Sequence, residues 1–403
     1  MKSRPIGRLL VGLVILASAT FPAVAAEGPA GAVYCMSNAA EGNAVVAFAR
    51  GADGGLTKLG TFPTGGNGVG VDRLLKNAAD NGIDSLTSNG SLALTYNGHL
   101  LFAVNAGSDT ITSFQVRPDY TLVAVATVAS GGRKPNGIAI SGDMLYVANG
   151  GMAKQGVPAT LVGFRFDPDG RMAMISESAR TLSDPAKSFP AHILFSPKGD
   201  FLIAIELMTD KVTIYRVSSA GLLSRPVAHD SAGKDPFGAV FLGPYRLLVT
   251  EAQGGALMGG KGKASASTYA LDVDGQIMKT CPGVGNGQTA SCWASATCDG
   301  RFVLTSNTDA GTVSCYGVDA ADGTIKLLKG EAASLAPMKG ETSGPIDSAI
   351  SRDGRFFYQL YAGNGEIGAY RIEKDGSLMP VEGMMGMVKG MPQSAGIQGL
   401  VAW

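Results

Sequence analysis

The chain has 403 residues, of which 16% are charged and 57 are glycine, and its formal net charge is zero. A neutral chain of this composition has no surface suited to a polyanion, which excludes nucleic acid as its main partner. Abundant glycine with few charges is typical of short strands joined by tight turns. The composition therefore predicts an all-β protein and argues against long helices.

The N-terminus has the pattern of a secretory signal peptide. Three basic residues precede an apolar run at 9–17 that is too short to span a bilayer, and small residues at 23–26 offer a cleavage site. Removal of this segment would leave a net charge of −3. We predict residues 1–26 as the signal and 27–403 as one domain, periplasmic or secreted. The alternative for the apolar run is a membrane anchor, and we expect no transmembrane segment after it.

An alternating strand with a central aromatic recurs seven times along the rest of the chain. A tight turn, usually Asp-Gly, follows most of these strands, because glycine takes a positive φ at no steric cost. A second apolar strand precedes each aromatic strand, and most units open with a third. Four strands in about fifty residues are typical of a propeller blade. The aromatics are Phe48, Phe114, Phe164, Tyr215, Tyr269, Tyr316 and Tyr370.

The two ends of the chain predict how the ring closes. The first unit begins at Ala32 with its second strand and lacks an innermost strand. Residues 397–403 have the pattern of the missing strand. We therefore predict a seven-bladed β-propeller with four antiparallel strands per blade, in which the C-terminal strand completes blade one and leaves no free edge.

Two insertions interrupt the repeat, at 64–90 after blade one and at 252–266 inside blade five. Loops of this length are uncommon in compact folds unless they are functional or disordered. Strand direction places both on the face that also carries the ends of the second strands and the connections between blades, here called the insertion face. Ligands are expected where these loops converge on the mouth of the central channel.

The ends of the second strands place a ring of amides and carboxylates on the insertion face. Such a ring could hold a polyhydroxy or carboxylate ligand. Glu206 and Glu251, on adjacent blades, are candidates for general acid and base, with His192 assisting. The alternative is that these residues cap turns and bond exposed backbone. Residues that lead into the first strands join this ring of second-strand ends, whose members are Asn38, Asn105, Asn149, Glu206, Glu251, Asn307 and Tyr361. The candidate ligand-binding residues are Asn105, Asn149 and Asn307 from the ring, with Arg133, Gln288 and Asp347 from the residues that lead into first strands.

Five cysteines follow the predicted signal. An odd number leaves at least one thiol free or paired between chains, and no C-x-x-C spacing suggests zinc. We expect mostly buried free thiols, with Cys281 and either Cys292 or Cys298 as the sequence-near candidates for a bridge. Cys292 has no evident base beside it, so we predict a core or channel position and no nucleophilic role. The full set is Cys35, Cys281, Cys292, Cys298 and Cys315.

No compact acidic motif points to a metal, so we predict no cofactor. Calcium, which prefers oxygen ligands, is the one cation that Glu206, Glu251, Asp235 and neighbouring asparagines could suit. The expected partner is a small polar molecule, and the expected state of the chain is a monomer.

The chain resembles the lactonase-type seven-bladed propellers. That family includes propeller-type 6-phosphogluconolactonases and fungal carboxymuconate-lactonising enzymes. The likeness extends over essentially the whole chain after the signal and is carried by residues 101–111, 195–202, 288–293 and 351–356. It implies hydrolysis or formation of a lactone, or of a related sugar-acid ester, at the channel mouth.

The chain departs from the family pattern at residues that handle the substrate. Family enzymes often carry Gly-Pro-Arg-His where this chain reads Phe-Pro-Ala-His at 189–192. The histidine matches, but the arginine expected to hold a carboxylate is Ala191, and alanine cannot replace it. Asn136 stands in place of a family histidine, whereas Glu206 matches a family glutamate. A lactonase-like enzyme and a non-catalytic propeller that binds a small polar ligand or partner protein both remain open.

Overall fold

The computed structural model describes residues 1, 28–70, 83–256, 258–338, 340, 342–381 and 396–403. The predicted signal and its boundary at residue 26 lie outside the described residues, apart from Met1. The described residues form 29 β-strands and two short 3-10 helices, at Ala153–Gln155 and Leu207–Thr209. Among them, no helix has the length and apolar character needed to cross a membrane.

The strands form seven antiparallel sheets, which are the blades of a propeller. Blade one contains β1 (Gly31–Met36), β2 (Ala44–Arg50), β3 (Leu56–Pro63) and β29 (Gln398–Ala402). Blade two contains β4 (Leu92–Leu94), β5 (Leu100–Asn105), β6 (Thr110–Val116) and β7 (Leu122–Ala129). Blade three contains β8 (Pro135–Ser141), β9 (Met144–Asn149), β10 (Thr160–Phe166) and an outer strand divided into β11 (Met172–Met174) and β12 (Arg180–Thr181).

The remaining four blades follow the same order from the channel outwards. Blade four contains β13 (Pro190–Phe195), β14 (Phe201–Glu206), β15 (Lys211–Arg216) and β16 (Val227–Asp230). Blade five contains β17 (Pro236–Gly243), β18 (Arg246–Glu251), β19 (Ser265–Leu271) and β20 (Ile277–Gly285). Blade six contains β21 (Ser291–Ala296), β22 (Phe302–Asn307), β23 (Thr312–Val318) and β24 (Ile325–Ser334). Blade seven contains β25 (Pro345–Ile350), β26 (Phe356–Tyr361), β27 (Glu366–Ile372) and β28 (Leu378–Pro380).

The C-terminal strand closes the ring as predicted. β29 pairs antiparallel with β1, with Val33 opposite Ala402 and Cys35 opposite Leu400. Arg50 reinforces the closure, because its buried guanidinium donates to the carbonyl of Trp403 and forms a 3.2 Å ion pair with Asp353 of blade seven. This pairing joins the two ends of the chain in one sheet and covers the edge of β1 that would otherwise be free.

The seven aromatics of the third strands are all buried and form much of the packing between blades. The glycines of the Asp-Gly turns approach the neighbouring blade closely, a role that sequence analysis did not assign to them. A Cβ atom on Gly54 would lie 2.3 Å from the Phe356 ring, and one on Gly376 would lie 2.7 Å from the Phe302 ring. Both glycines also have positive φ, so conformation and contact together require glycine. These turns lie on the face opposite the insertions, here called the turn face.

The cysteines do not form the bridge that was considered for them. Cys35, Cys281, Cys298 and Cys315 are free thiols, and Cys35, Cys292 and Cys315 are buried. Burial raises the pKa of the Cys35 and Cys315 thiols, which disfavours the reactive thiolate. Cys292 and Trp293 belong to a core cluster on the innermost strand β21, in agreement with a core position for Cys292.

Candidate functional site

The ring of second-strand ends is built as predicted, but its side chains lie inside the blades. Every member is fully buried. Asn105 donates to the hydroxyls of Thr110 and Thr112, and Asn307 donates in the same way to Thr312 and Ser314. These bonds link the second strand of a blade to its third strand, so the amides are engaged within the protein. The members are Asn38, Asn105, Asn149, Glu206, Glu251, Asn307 and Tyr361.

Glu206 is fully buried, and both of its carboxylate oxygens are occupied. Oε1 accepts hydrogen bonds from the Ser183 N–H at 3.0 Å and the Thr213 hydroxyl at 2.7 Å. Oε2 accepts from the hydroxyls of Ser183, Ser188 and Thr209 at 2.5, 2.6 and 2.9 Å. The carboxylate therefore ties the connection from blade three to its own blade.

Glu251 is equally buried, in blade five. It accepts a 2.5 Å hydrogen bond from the Ser265 hydroxyl. Gly233, in the connection from blade four, packs against it so closely that an added Cβ would lie 2.8 Å from Glu251 Cγ. Burial raises the pKa of Glu251, although hydrogen bonds from Ser265 and Ser267 oppose this. Glu206 and Glu251 are thus each bonded to hydroxyls of their own surroundings, in two different blades.

His192 lies on innermost strand β13 and is partly buried. Its Nδ1 accepts a 3.1 Å hydrogen bond from the Ala239 N–H of blade five. Burial lowers the pKa of His192 to about 4, so the ring is neutral near pH 7. Since Nδ1 accepts, the proton resides on Nε2, which makes that atom a hydrogen-bond donor.

The end of the first insertion lies across the channel mouth. Residues 83–91, here called the crossing segment, bond to the innermost strands of blades one, three and four. The anchoring bonds join Asp84 to Gln398, Ser88 to Asn136 and Asn89 to Ala191, at 2.6, 2.6 and 2.7 Å. Ile83 packs against Gly344 and Gly363 of blade seven. The end of the first insertion therefore reaches the channel mouth, as expected from the sequence, and occupies it.

Asp347 is buried in blade seven at the start of its innermost strand. The Gly399 N–H donates to its Oδ2 at 2.7 Å. Burial raises the pKa of Asp347 to about 7, against the opposing effect of the Gly399 N–H, its own N–H, the Trp293 side chain and the Gly90 N–H. Because Gly90 belongs to the crossing segment, this carboxyl group lies beneath that segment and apart from Glu206 and Glu251.

Arg133 and Gln288 lie at separate positions on the rim of the insertion face. Arg133 is exposed between blades two and three and forms a 2.8 Å ion pair with Asp109. Gln288, between blades five and six, accepts a 2.9 Å hydrogen bond from Thr312. The structure therefore distributes the predicted ligand-binding residues around the ring.

A polar cleft that was not expected from the sequence lies on the insertion face between blades four and five. Its volume is about 380 Å³, and its lining includes Asp210, Asp230, Lys234 and Gln253. Lys234 forms a 2.7 Å ion pair with Asp210 and is otherwise largely exposed. The cleft lies directly beside the loops that follow Glu206 and cover Glu251. The signal in the sequence was two groups of charged residues, one just after the second strand of blade four and the other just before the first strand of blade five.

Among the described residues, no group of three or more histidine, cysteine or acidic side chains is placed to hold a metal ion. The oxygen atoms of Glu206 are all bonded to donors of the protein.

A family model, "Lactonase, 7-bladed beta-propeller", matches residues 71–153 and 164–337, which is more than half of the chain. The chain belongs to this family. Among curated protein sequences, none matches this lactonase-family propeller.

Solved structures share the architecture at low sequence identity. A candidate 6-phosphogluconolactonase from Bacteroides uniformis has a TM-score of 0.64 at 15% identity, covering 91% of this chain and 98% of that one. A periplasmic gluconolactonase from Pseudomonas aeruginosa has a TM-score of 0.61 at 18% identity, covering 86% and 94%. A protein from Lactobacillus plantarum has a TM-score of 0.65 at 17% identity, covering 93% and 99%. At these identities the likeness shows the fold alone.

Proposed function

We propose that this lactonase-family propeller is exported and binds a lactone or sugar acid in the polar cleft between blades four and five. The observation that carries the proposal is the chemistry of the cleft. Lys234 pairs with Asp210 but keeps further N–H groups for a carboxylate or a polarised lactone carbonyl. Asp230, which pairs with Lys211, and Gln253 offer acceptors for hydroxyl groups. The predicted signal and the fold shared with a periplasmic gluconolactonase support export.

Binding has more support than hydrolysis because the Glu206 carboxylate and His192 Nδ1, at the two positions that match the family, are engaged within the protein. A general base must reach the proton that it removes, yet five donors surround the Glu206 carboxylate. His192 is neutral and uses Nδ1 to accept from Ala239, so the free nitrogen is a donor. Lactone hydrolysis at the channel mouth is the second candidate. It is favoured by the family and by the match of His192 and Glu206 to family positions.

Calorimetric titration with gluconate and glucono-1,5-lactone tests the proposal, combined with measurement of acid release above the spontaneous rate. We expect both ligands to bind and Lys234→Gln to weaken gluconate binding about tenfold, the scale of one charge-assisted hydrogen bond. Lys187→Gln is the matched control, since Lys187 is an exposed lysine that also pairs with an aspartate, Asp184. Absence of binding at millimolar ligand would refute the proposal.

The same assay distinguishes lactone hydrolysis, the second candidate, from binding alone. Acid release by the wild-type protein that is lost in His192→Gln would favour an enzyme, and a repeat with and without calcium tests the metal. Binding without acid release would favour the non-catalytic propeller.

A further inference from the structure

The turn face carries an open cavity at the other end of the central channel. The volume is about 720 Å³, and the cavity lies where the innermost strands β4, β25 and β29 end. Leu94, Ile350 and Leu400 supply an apolar wall. The hydroxyl of Ser348 also lines it and lies 2.9 Å from that of Ser295 on the adjacent blade. This end of the channel therefore combines an apolar surface with a few hydroxyl groups.

One guanidinium stacks on two aromatic rings at the edge of this cavity. The Arg352 guanidinium carbon is 4.2 Å from the centroid of the Tyr96 ring and 4.3 Å from that of the Trp403 ring. Its Nη1 also donates to the Tyr96 carbonyl. Three blades contribute to the stack, because Tyr96 lies in a turn of blade two, Trp403 follows β29 of blade one and Arg352 lies in a turn of blade seven.

Contacts with neighbouring residues fix the position of Trp403 in the stack. The Trp403 indole lies against Gly98, where an added Cβ would be 2.7 Å from the ring. Gly98 has a φ of 74°, so its backbone also favours glycine. The carbonyl of Trp403 accepts from Arg50, which fixes the end of the strand. Tyr96, by contrast, is 87% exposed, although tyrosine side chains usually bury much of their apolar surface.

Among the described residues, no acidic side chain forms an ion pair with Arg352. Of the side chains that line it in the described part of the chain, Arg352 is the only charged one. Because the guanidinium carbon lies within 4.3 Å of two ring centroids, the edge of the guanidinium is the part best placed to meet a ligand. That edge presents paired N–H groups in the plane that a carboxylate matches. A single cation beside an apolar wall suits a monoanion, because a phosphate dianion would keep an unmatched charge.

We propose that this cavity is a second binding site, specific for an organic monocarboxylate with an apolar body. The carboxylate bonds to the edge of Arg352, and the apolar body lies along Leu94, Ile350 and Leu400. Tyr96 and Trp403 hold the guanidinium in position before the ligand arrives, which lowers the entropic cost of binding. The site lies on the opposite face from the polar cleft between blades four and five and does not depend on it.

Tryptophan fluorescence provides the test, because the chain has two tryptophans and Trp293 is buried while Trp403 lies in the site. The probe is hexanoate, and hexanamide is its neutral isostere. We expect hexanoate to change the emission saturably and hexanamide to bind about tenfold more weakly, as expected for loss of a charge-assisted bond. Trp403→Phe should abolish the signal, while calorimetry of that variant should still detect hexanoate.

Arg352→Met should weaken hexanoate binding about tenfold and leave hexanamide unaffected. Arg301→Met is the control, because Arg301 is also on the turn face and stacks on one ring, 4.8 Å from the Phe302 centroid. If Arg352→Met unfolds, Arg352→Lys keeps the charge but loses the planar edge, and it should still bind less tightly. Lys234→Gln should leave hexanoate binding unchanged, which separates this site from the cleft. Equal affinity in wild type and both Arg352 variants, or no binding to wild type, would overturn the proposal.

Discussion

Glu206→Gln distinguishes a structural carboxylate from a catalytic one. The substitution keeps the size of the side chain but replaces one acceptor oxygen by an NH2 group and removes the charge. The Ser183 N–H cannot reverse its direction, so the amide oxygen must stay at the Oε1 position, 3.0 Å from that nitrogen. The NH2 group then faces the hydroxyls of Ser183, Ser188 and Thr209, which must turn from donors into acceptors.

The magnitude follows from the number and type of bonds changed. A hydrogen bond to a charged group contributes about 1.5–3 kcal/mol and a neutral one about 0.5–1.5 kcal/mol, so each of the bonds is weakened by roughly 1 kcal/mol. An NH2 group also has two protons for three hydroxyls. Because bonds at one carboxylate are not additive, we expect the free energy of unfolding to fall by about 3 kcal/mol, within a range of roughly 2–4 kcal/mol.

Urea unfolding measures this change, with Glu331→Gln as the matched control. Glu331 is exposed on β24, so its substitution should change the free energy of unfolding by less than about 0.5 kcal/mol. Ligand binding in the polar cleft should survive in both variants. A Glu206→Gln protein that unfolds at the wild-type urea midpoint but loses lactone turnover, typically ~10²- to 10⁴-fold for a general acid or base, would refute the structural interpretation.

The other predictions concern pH, ring closure and a thiol. The pKa of Asp347 is raised to about 7, so the folded protein keeps a proton that the unfolded chain loses near pH 4. The free energy of unfolding should therefore fall by up to about 4 kcal/mol between about pH 4 and 7, and Asp347→Asn should remove this fall. His192 has the opposite effect, because its pKa is lowered to about 4 and the free energy of unfolding falls as pH falls from about 6.5 to 4. Denaturant unfolding across this range should show a steeper rise of the free energy of unfolding with pH in Asp347→Asn than in wild type. An unchanged profile would contradict the raised pKa of Asp347. Deletion of 397–403 exposes the edge of β1, so cooperative thermal unfolding should disappear, whereas an unchanged melting temperature would argue against closure by β29. Cys292→Ser should keep ligand binding and any turnover, and a folded variant that loses both would show that the thiol is needed.

The sequence predicted the fold because the features of a propeller blade are local. Four strands, their alternating apolar residues and the Asp-Gly turns recur within about fifty residues, so each blade can be recognised alone. Closure was predictable for the same reason, because the first unit lacks its innermost strand and the C-terminus carries the pattern of one additional strand. The residues at the strand ends, including Glu206 and Glu251, were also placed correctly along the chain.

The direction of those side chains and the surface open to a ligand were decided only by tertiary structure. Glu206 bonds to Ser183, which lies 23 residues earlier in a connection whose path no repeat pattern specifies. The crossing segment was recognised as an insertion, yet its position over the channel depends on Gln398, 312 residues from Leu86. Tyr96, Arg352 and Trp403 come from three blades and share no motif. Local periodicity determines which strands form, whereas buried polar contacts and cavities depend on residues that meet only when the ring closes.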